Sequence, residues 1–192
     1  KINLIDINYK TSKNLTNNRF NTNAYIKSCF DTAFHILKSG YSNKLINGPI
    51  NKSTFLNKKF LGITEYISKK FKVNNTAMLI YNKDLSVCPL TTHLPLKLVS
   101  NRINKKLIGE KIKLIDIFFT RFLGFKPKIA VSGLNPHCES ILKFNEDDKI
   151  IRPAVKYLKK KGFNVNGPFA PDTIFLKQNR IKFNVILGMY HD

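Results

Sequence analysis

The sequence predicts an α/β fold, a three-layer α/β/α core with its cleft at one rim of the sheet. Two observations carry this. Short apolar runs of strand length alternate with longer stretches in which apolar residues recur at helical spacing. Three of the runs also end in a turn that is followed by a histidine. Leu85 to Leu90 leads to His93, Ile129 to Val131 leads through Gly133-Leu134-Asn135-Pro136 to His137, and Phe183 to Leu187 leads through Gly188-Met189-Tyr190 to His191. Ligands of open α/β sheets bind outside the carboxyl ends of the strands, so these imidazoles are expected to share one rim.

Taken in order, Ile2 to Ile7 alternates with period two and reads as a half-buried strand. Asn14 to Asn23 reads as a polar loop. From about Ala24, the positions Ile26, Phe30, Ala33, Phe34 and Leu37 mark a helix that Ser39-Gly40 ends. His35 lies beside that stripe and reads as a structural histidine. Lys44 to Asn47 is a short strand, and Gly48-Pro49-Ile50-Asn51 then delivers Lys52. Thr64 is placed as the N-cap of a helix from Glu65 to Phe71. Thr76 to Tyr81 and Leu85 to Leu90 flank Asn82-Lys83-Asp84 as a hairpin. Helices are expected near Ser100 to Leu107, from Lys111 to Leu123 with Gly124 as its cap, and from Glu146 to Lys161, closed by Gly162. Strands follow at Phe163 to Val165 and before His191.

Composition bounds the function. The 192 residues suffice for one core or two small lobes, and 43% hydrophobic content with 15 Phe argues for a folded chain. No apolar run approaches the roughly 20 residues of a bilayer-spanning helix. The chain begins at Lys1 without a signal-peptide pattern and is expected to be a piece of a longer polypeptide. Three cysteines without close pairs fit a reducing cytoplasm. Cys138, beside His137, reads as a small residue packed behind the turn rather than as a nucleophile. The formal charge of +21 raises the question of nucleic acid. Lysine, however, outnumbers arginine and is spread along the chain beside abundant Asn, Ile and Phe. That pattern points to drift toward A/T-rich codons and away from a nucleic-acid surface. The charge also suits an anionic substrate.

Three neutral imidazoles with open positions are a sound ligand set for Zn²⁺ or a similar divalent ion. Their wide separation in sequence makes the spacing alone a weak signal, and there is no short metal motif, Walker loop or Rossmann fingerprint.

Six collinear blocks add to this reading: Gly48-Pro49-Ile50-Asn51-Lys52, Gly62-Ile63-Thr64-Glu65, Thr92-His93-Leu94-Pro95-Leu96, Gly133-Leu134-Asn135-Pro136-His137, Gly167-Pro168-Phe169-Ala170-Pro171-Asp172-Thr173 and Met189-Tyr190-His191-Asp192. Together they resemble the 4-hydroxythreonine-4-phosphate dehydrogenase family of pyridoxal phosphate biosynthesis, across most of residues 24 to 192. The resemblance implies an isopropylmalate dehydrogenase-like fold, incomplete here: 1–62 as a remnant of the first lobe, 63–165 as the second lobe, and 166–192 returning toward the first. It implies a homodimer whose partner completes each site. It makes His93, His137 and His191 the metal ligands, for Zn or for Mg or Co. Lys52, Asp172 and Asp192 fall on positions that support proton transfer or orient ligands, and Thr64 on a substrate-binding position. The implied reaction is NAD-dependent oxidation of 4-phosphooxy-L-threonine with loss of CO₂ to give 3-amino-2-oxopropyl phosphate. No position for the cofactor is implied.

Departures accompany the resemblance. The family's Gly-His-Thr-Glu reads Gly62-Ile63-Thr64-Glu65, so an apolar side chain stands where a substrate-contacting histidine is expected. The segment after His137 is altered to Cys138-Glu139-Ser140-Ile141-Leu142. The family's N-terminal block and the Gln-Gly and Lys beyond the last histidine are not in this sequence. A non-catalytic remnant of the family is therefore the alternative reading, with a basic nucleic-acid-binding protein behind it.

Overall fold

A computed structural model of the chain describes residues 2–9, 15–57, 59–60, 62–138 and 144–191, with the side chains of 15–20 left aside. It contains two compact units, Lys1–Ile67 and Ser68–Asp192.

In the first unit, α1 runs Leu15–Lys38. The expected loop up to Asn23 is helical from Leu15. Extending an established helix costs far less than nucleating one. Its buried face presents Phe30 and Phe34, and with Phe55 and Tyr66 they form an aromatic cluster whose ring centres lie 5.5–5.9 Å apart. Burial and the neighbouring Asp31 carboxylate push the Tyr66 phenol up. The short helix α2 (Lys52–Phe55) starts at Asn51, whose side chain accepts a hydrogen bond from the Thr54 N–H. Helix α3 (Ile63–Phe71) begins one residue before Thr64, which is thus inside the first turn and not the cap. The strands expected at 2–7 and 44–47 are irregular, with Ile2 at 98% and Ile46 at 97% exposure. An alternating pattern becomes a strand only where a neighbouring backbone pairs with it.

The second unit is built on a four-stranded, wholly parallel sheet in the order β1-β4-β2-β3. Strand β1 is Ser86–Thr91. The expected hairpin before it contracts to one antiparallel bridge, in which Ile80 and Val87 exchange N–H···O bonds of 2.8 and 2.9 Å. Further along β1, Pro89 has no N–H to give, and the ladder is spent on β4. Then follow α4 (Leu96–Val99), a 3₁₀ turn at Ser100–Arg102, and α5 (Lys105–Phe118). The two helices thus lie several residues earlier than expected, because Asn104 caps α5 by accepting from the Leu107 N–H at 2.9 Å. A π-helical turn at Phe119–Leu123 ends at Gly124, left-handed at φ 79°, as its expected capping role requires.

Strand β2 (Ile129–Ser132) is buried throughout, as the apolar run predicts. A π-helical turn at Asp147–Ile151 leads into α6 (Arg152–Lys160), with Pro153 in its first turn. Strand β3 is Val165–Phe169, starting where the strand was expected to stop. Gly167 accounts for the shift: a Cβ there would sit 2.4 Å from the Val131 carbonyl oxygen, and φ is 140°. Only a glycine lets β3 continue alongside β2. The chain ends with α7 (Lys177–Arg180) and β4 (Val185–Tyr190). One sheet face, with Ile129, Val131, Val165, Val185 and Leu187, packs on Ile108, Ile112 and Ile115 of α5 and Ala154, Val155 and Leu158 of α6. On the other, Ala130 and Ile186 meet Ile174. This is the expected α/β fold, a parallel sheet with flanking helices. Among the described residues, no helix is long and apolar enough to cross a membrane.

Candidate functional site

Because all four strands run the same way, their carboxyl ends form one rim. Along it the chain emerges from β1 toward His93, from β4 toward His191, from β2 toward His137 and from β3 toward Asp172. Three histidines scattered over half the sequence thus follow three adjacent strands. The fourth strand adds a carboxylate.

The β1–β4 pairing sets the first two histidines side by side. Thr91 and Tyr190 are register partners, and the Thr91 hydroxyl donates to the Met189 carbonyl at 2.9 Å. The His93 and His191 rings follow with their centres 6.5 Å apart and their planes inclined by 34°. His93 takes a left-handed backbone (φ 56°), a conformation uncommon outside glycine and concentrated at functional sites.

The β2–β3 pairing does the same for the other two groups. The Gly133 N–H donates to the Phe169 carbonyl at 2.8 Å, extending the ladder past the end of β2. The turn closes when the Cys138 N–H donates to the Asn135 carbonyl at 3.0 Å. His137 Nδ1 then lies 3.6 Å from Asp172 Oδ2, both groups being solvent-accessible. The pair is an ion-pair distance apart and is not hydrogen-bonded.

The Zn–N distance of about 2.1 Å places two imidazoles on a shared ion with ring centres roughly 5–6 Å apart. The His93–His191 spacing is within about an ångström of that range, and exposed imidazoles on strand-end turns can close it by side-chain rotation. Among the described residues, no three His, Cys, Asp or Glu side chains are already gathered around one point. The donor chemistry fits a divalent ion, with two neighbouring imidazoles and a third on the adjacent strand end near a carboxylate.

The other expected residues fall elsewhere. Lys52 is exposed at the start of α2, and Thr64 is exposed in the first turn of α3, both in the first unit. Asp192 lies outside the described residues, as do Glu139 to Leu142 of the altered segment. Cys138 is buried, and burial, reinforced by the Asp147 carboxylate, pushes its thiol up to about 11. It is a packing residue, as the sequence suggests.

One residue escaped the sequence reading. Asp147 is fully buried, and its carboxylate accepts hydrogen bonds from the turn that carries His137. Its signal was the run Glu146-Asp147-Asp148, in a chain with 12 acidic residues against 33 basic.

The comparisons with known proteins give the family and the fold. A family model described as "Pyridoxal phosphate biosynthetic protein PdxA" matches residues 1–192. The 4-hydroxythreonine-4-phosphate dehydrogenase of Sulfurihydrogenibium sp. (strain YO3AOP1) is 40% identical over 156 residues, covering 79% of this chain and 48% of the relative. The D-threonate 4-phosphate dehydrogenase of Pectobacterium atrosepticum is 32% identical over 167 residues, covering 85% and 51%. Among solved structures, 4-hydroxythreonine-4-phosphate dehydrogenase from Klebsiella pneumoniae superposes with a TM-score of 0.78 at 30% identity, over 90% of this chain and 54% of that one. The chain spans about half the length of the relatives it matches. With the whole chain matched and the fold shared, the chain belongs to the PdxA family of pyridoxal phosphate biosynthetic proteins.

Proposed function

We propose that the chain carries the metal-binding rim of a 4-hydroxythreonine-4-phosphate dehydrogenase, which oxidises 4-phosphooxy-L-threonine with NAD and a divalent ion and releases CO₂ and 3-amino-2-oxopropyl phosphate. The observation that carries this is the delivery of His93, His191, His137 and Asp172 by four adjacent strand ends. A bound divalent ion supplies Lewis acidity to the substrate's hydroxyl and carboxylate oxygens. His93, His137 and His191 would hold it, and NAD would supply the hydride acceptor.

The family resemblance gives the chain's own groups separable tasks. Asp172, with its carboxylate 3.6 Å from His137 Nδ1, attracts and orients the cationic or donor form of that ring. Lys52 and Asp192 serve proton transfer, and the Thr64 hydroxyl contacts substrate. The net charge of +21 draws the phosphorylated anion toward the protein. The same reading includes a homodimer and a cytoplasmic setting, the latter supported by three free cysteines.

A second substrate is favoured by one finding. The Pectobacterium relative is named for D-threonate 4-phosphate, a phosphorylated hydroxy acid without the amine. At Ile63, the first residue of α3, an apolar side chain stands where the family resemblance places a substrate-contacting histidine.

The test is NADH formation by the purified chain with Zn²⁺, Mg²⁺ or Co²⁺, offered each substrate in turn. Turnover of 4-phosphooxy-L-threonine that His137→Ala abolishes supports the main reading. Preference for D-threonate 4-phosphate supports the second. No turnover of either, with metal bound, returns the chain to the non-catalytic alternative.

A further inference from the structure

We propose that Asp147 is the positioning residue for His137, its buried carboxylate holding the Gly133–His137 turn at the angle from which the imidazole reaches the rim. The inference rests on the metal-site reading above, and its test separates the two.

Among the described residues, Asp147 is the one acidic side chain that is buried, at 0% exposure. A buried carboxylate is costly unless its oxygens are hydrogen-bonded. Here Oδ1 accepts from the Leu134 N–H at 2.9 Å, and Oδ2 accepts from the Asn135 N–H at 3.1 Å and from Asn135 Nδ2 at 2.7 Å. All three donors belong to the two residues that precede Pro136-His137. The carboxylate is therefore satisfied by the turn itself.

The fit is close enough to transmit a displacement. A Cβ on Gly133 would lie 2.7 Å from Asp147 Oδ1 and 2.4 Å from Cys138 Sγ, so the carboxylate reaches the turn only because Gly133 lacks a side chain. From Asn135 to His137 the chain has little freedom. Pro136 fixes its own φ and restricts the residue before it, and the Cys138 N–H ties back to the Asn135 carbonyl. Asp147 is itself anchored, because it opens the π-helical turn that runs through buried Ile151 into α6 on the sheet. A shift of Asp147 must move Asn135, and with it His137.

A residue that merely stabilised the turn would lower stability without moving the imidazole, and two readouts separate these roles. On the full chain, Asp147→Asn puts an N–H₂ donor against backbone donors. It is expected to lower Co²⁺ affinity ten- to a hundred-fold, the range for losing a contact that supports a ligand. It should also shift the His137 imidazole NMR resonances while leaving those of His35, in the other unit, in place. Wild-type Co²⁺ affinity together with unmoved His137 resonances overturns the proposal. If Asp147→Asn does not fold, Asn135→Ala decides by the same readouts, since it removes one donor and keeps the carboxylate. If the wild-type chain binds no Co²⁺, the metal reading fails on its own. The His137 resonances then decide positioning alone: movement supports it, and none overturns it.

Discussion

His93 and His191 stand beside each other at the ends of neighbouring parallel strands, ring centres 6.5 Å apart, although almost a hundred residues separate them along the chain. The pairing of β1 with β4 produces this juxtaposition, and the left-handed φ of 56° at His93 turns the chain at the rim. Holding a non-glycine residue there costs on the order of 1 kcal/mol, which the flanking ladder must offset.

Removing any one imidazole should weaken divalent-metal binding. His93→Ala, His137→Ala and His191→Ala are each expected to lower Zn²⁺ affinity at least tenfold, read by competition with a chromophoric chelator. Unchanged affinity in all three variants would rule the site out. Because neutral imidazole is the ligand, binding should also weaken as the solution is made acidic.

The two buried thiols should be inert at neutral pH. Burial pushes Cys88 up to about 11, against a smaller opposing effect of Lys111, and Cys138 also stands at about 11. A thiol with a raised value is protonated, hence unreactive, until the pH approaches that value. Iodoacetamide labelling at pH 7 should therefore modify the half-exposed Cys29 first. Prompt labelling of Cys138 at pH 7, in folded protein, would contradict this. Cys138→Ala should keep metal binding close to wild type.

Acid should erase one increment of stability. The Ser100 hydroxyl donates to Glu146, and this bond, aided by Asn135, holds the Glu146 carboxyl below its ordinary value of 4.5. The folded state thus favours the ionised form. The stabilisation is complete above about pH 4.5 and is lost as pH falls through the lowered folded-state value. Glu146→Gln should cost about 1 kcal/mol in urea denaturation at pH 7, allowing for partial solvent screening. That difference should shrink toward zero under strong acid. A penalty that stays constant with pH would show that packing, not charge, is responsible.

Ile63 offers a test of substrate recognition. It opens α3 in half-buried surroundings, where its side chain can neither hydrogen-bond nor carry charge. A recovered polar contact is worth roughly 1–3 kcal/mol, and about 1.4 kcal/mol is tenfold in rate. Ile63→His is expected to raise kcat/KM for 4-phosphooxy-L-threonine by at least about tenfold, monitored as NADH formation. An equal or lower value would remove position 63 from the substrate site.

Much of this fold is legible in the sequence itself, for a definable reason. Ile129 to Val131 and Val185 to Leu187 are apolar on both faces, and a parallel strand covered on both sides buries such runs. Gly124 is a C-cap on either account because its function is local, a left-handed residue ending a helical turn. Patterns that need a distant partner behaved otherwise. Ile2 to Ile7 and Lys44 to Asn47 have strand periodicity yet are irregular, since periodicity states which side chains could be buried and not which backbone pairs with them. The histidines divide along the same line. Sequence alone placed each at the end of a strand. The strand order β1-β4-β2-β3 decided that His93 faces His191 while His137 meets Asp172, because hydrogen bonding between strands, not proximity along the chain, sets which ends are neighbours. Asp147 was hidden for the same reason: its partners are two backbone N–H groups and a side-chain amide of a turn more than ten residues upstream, and a carboxylate looks identical in sequence whether it faces water or three such donors.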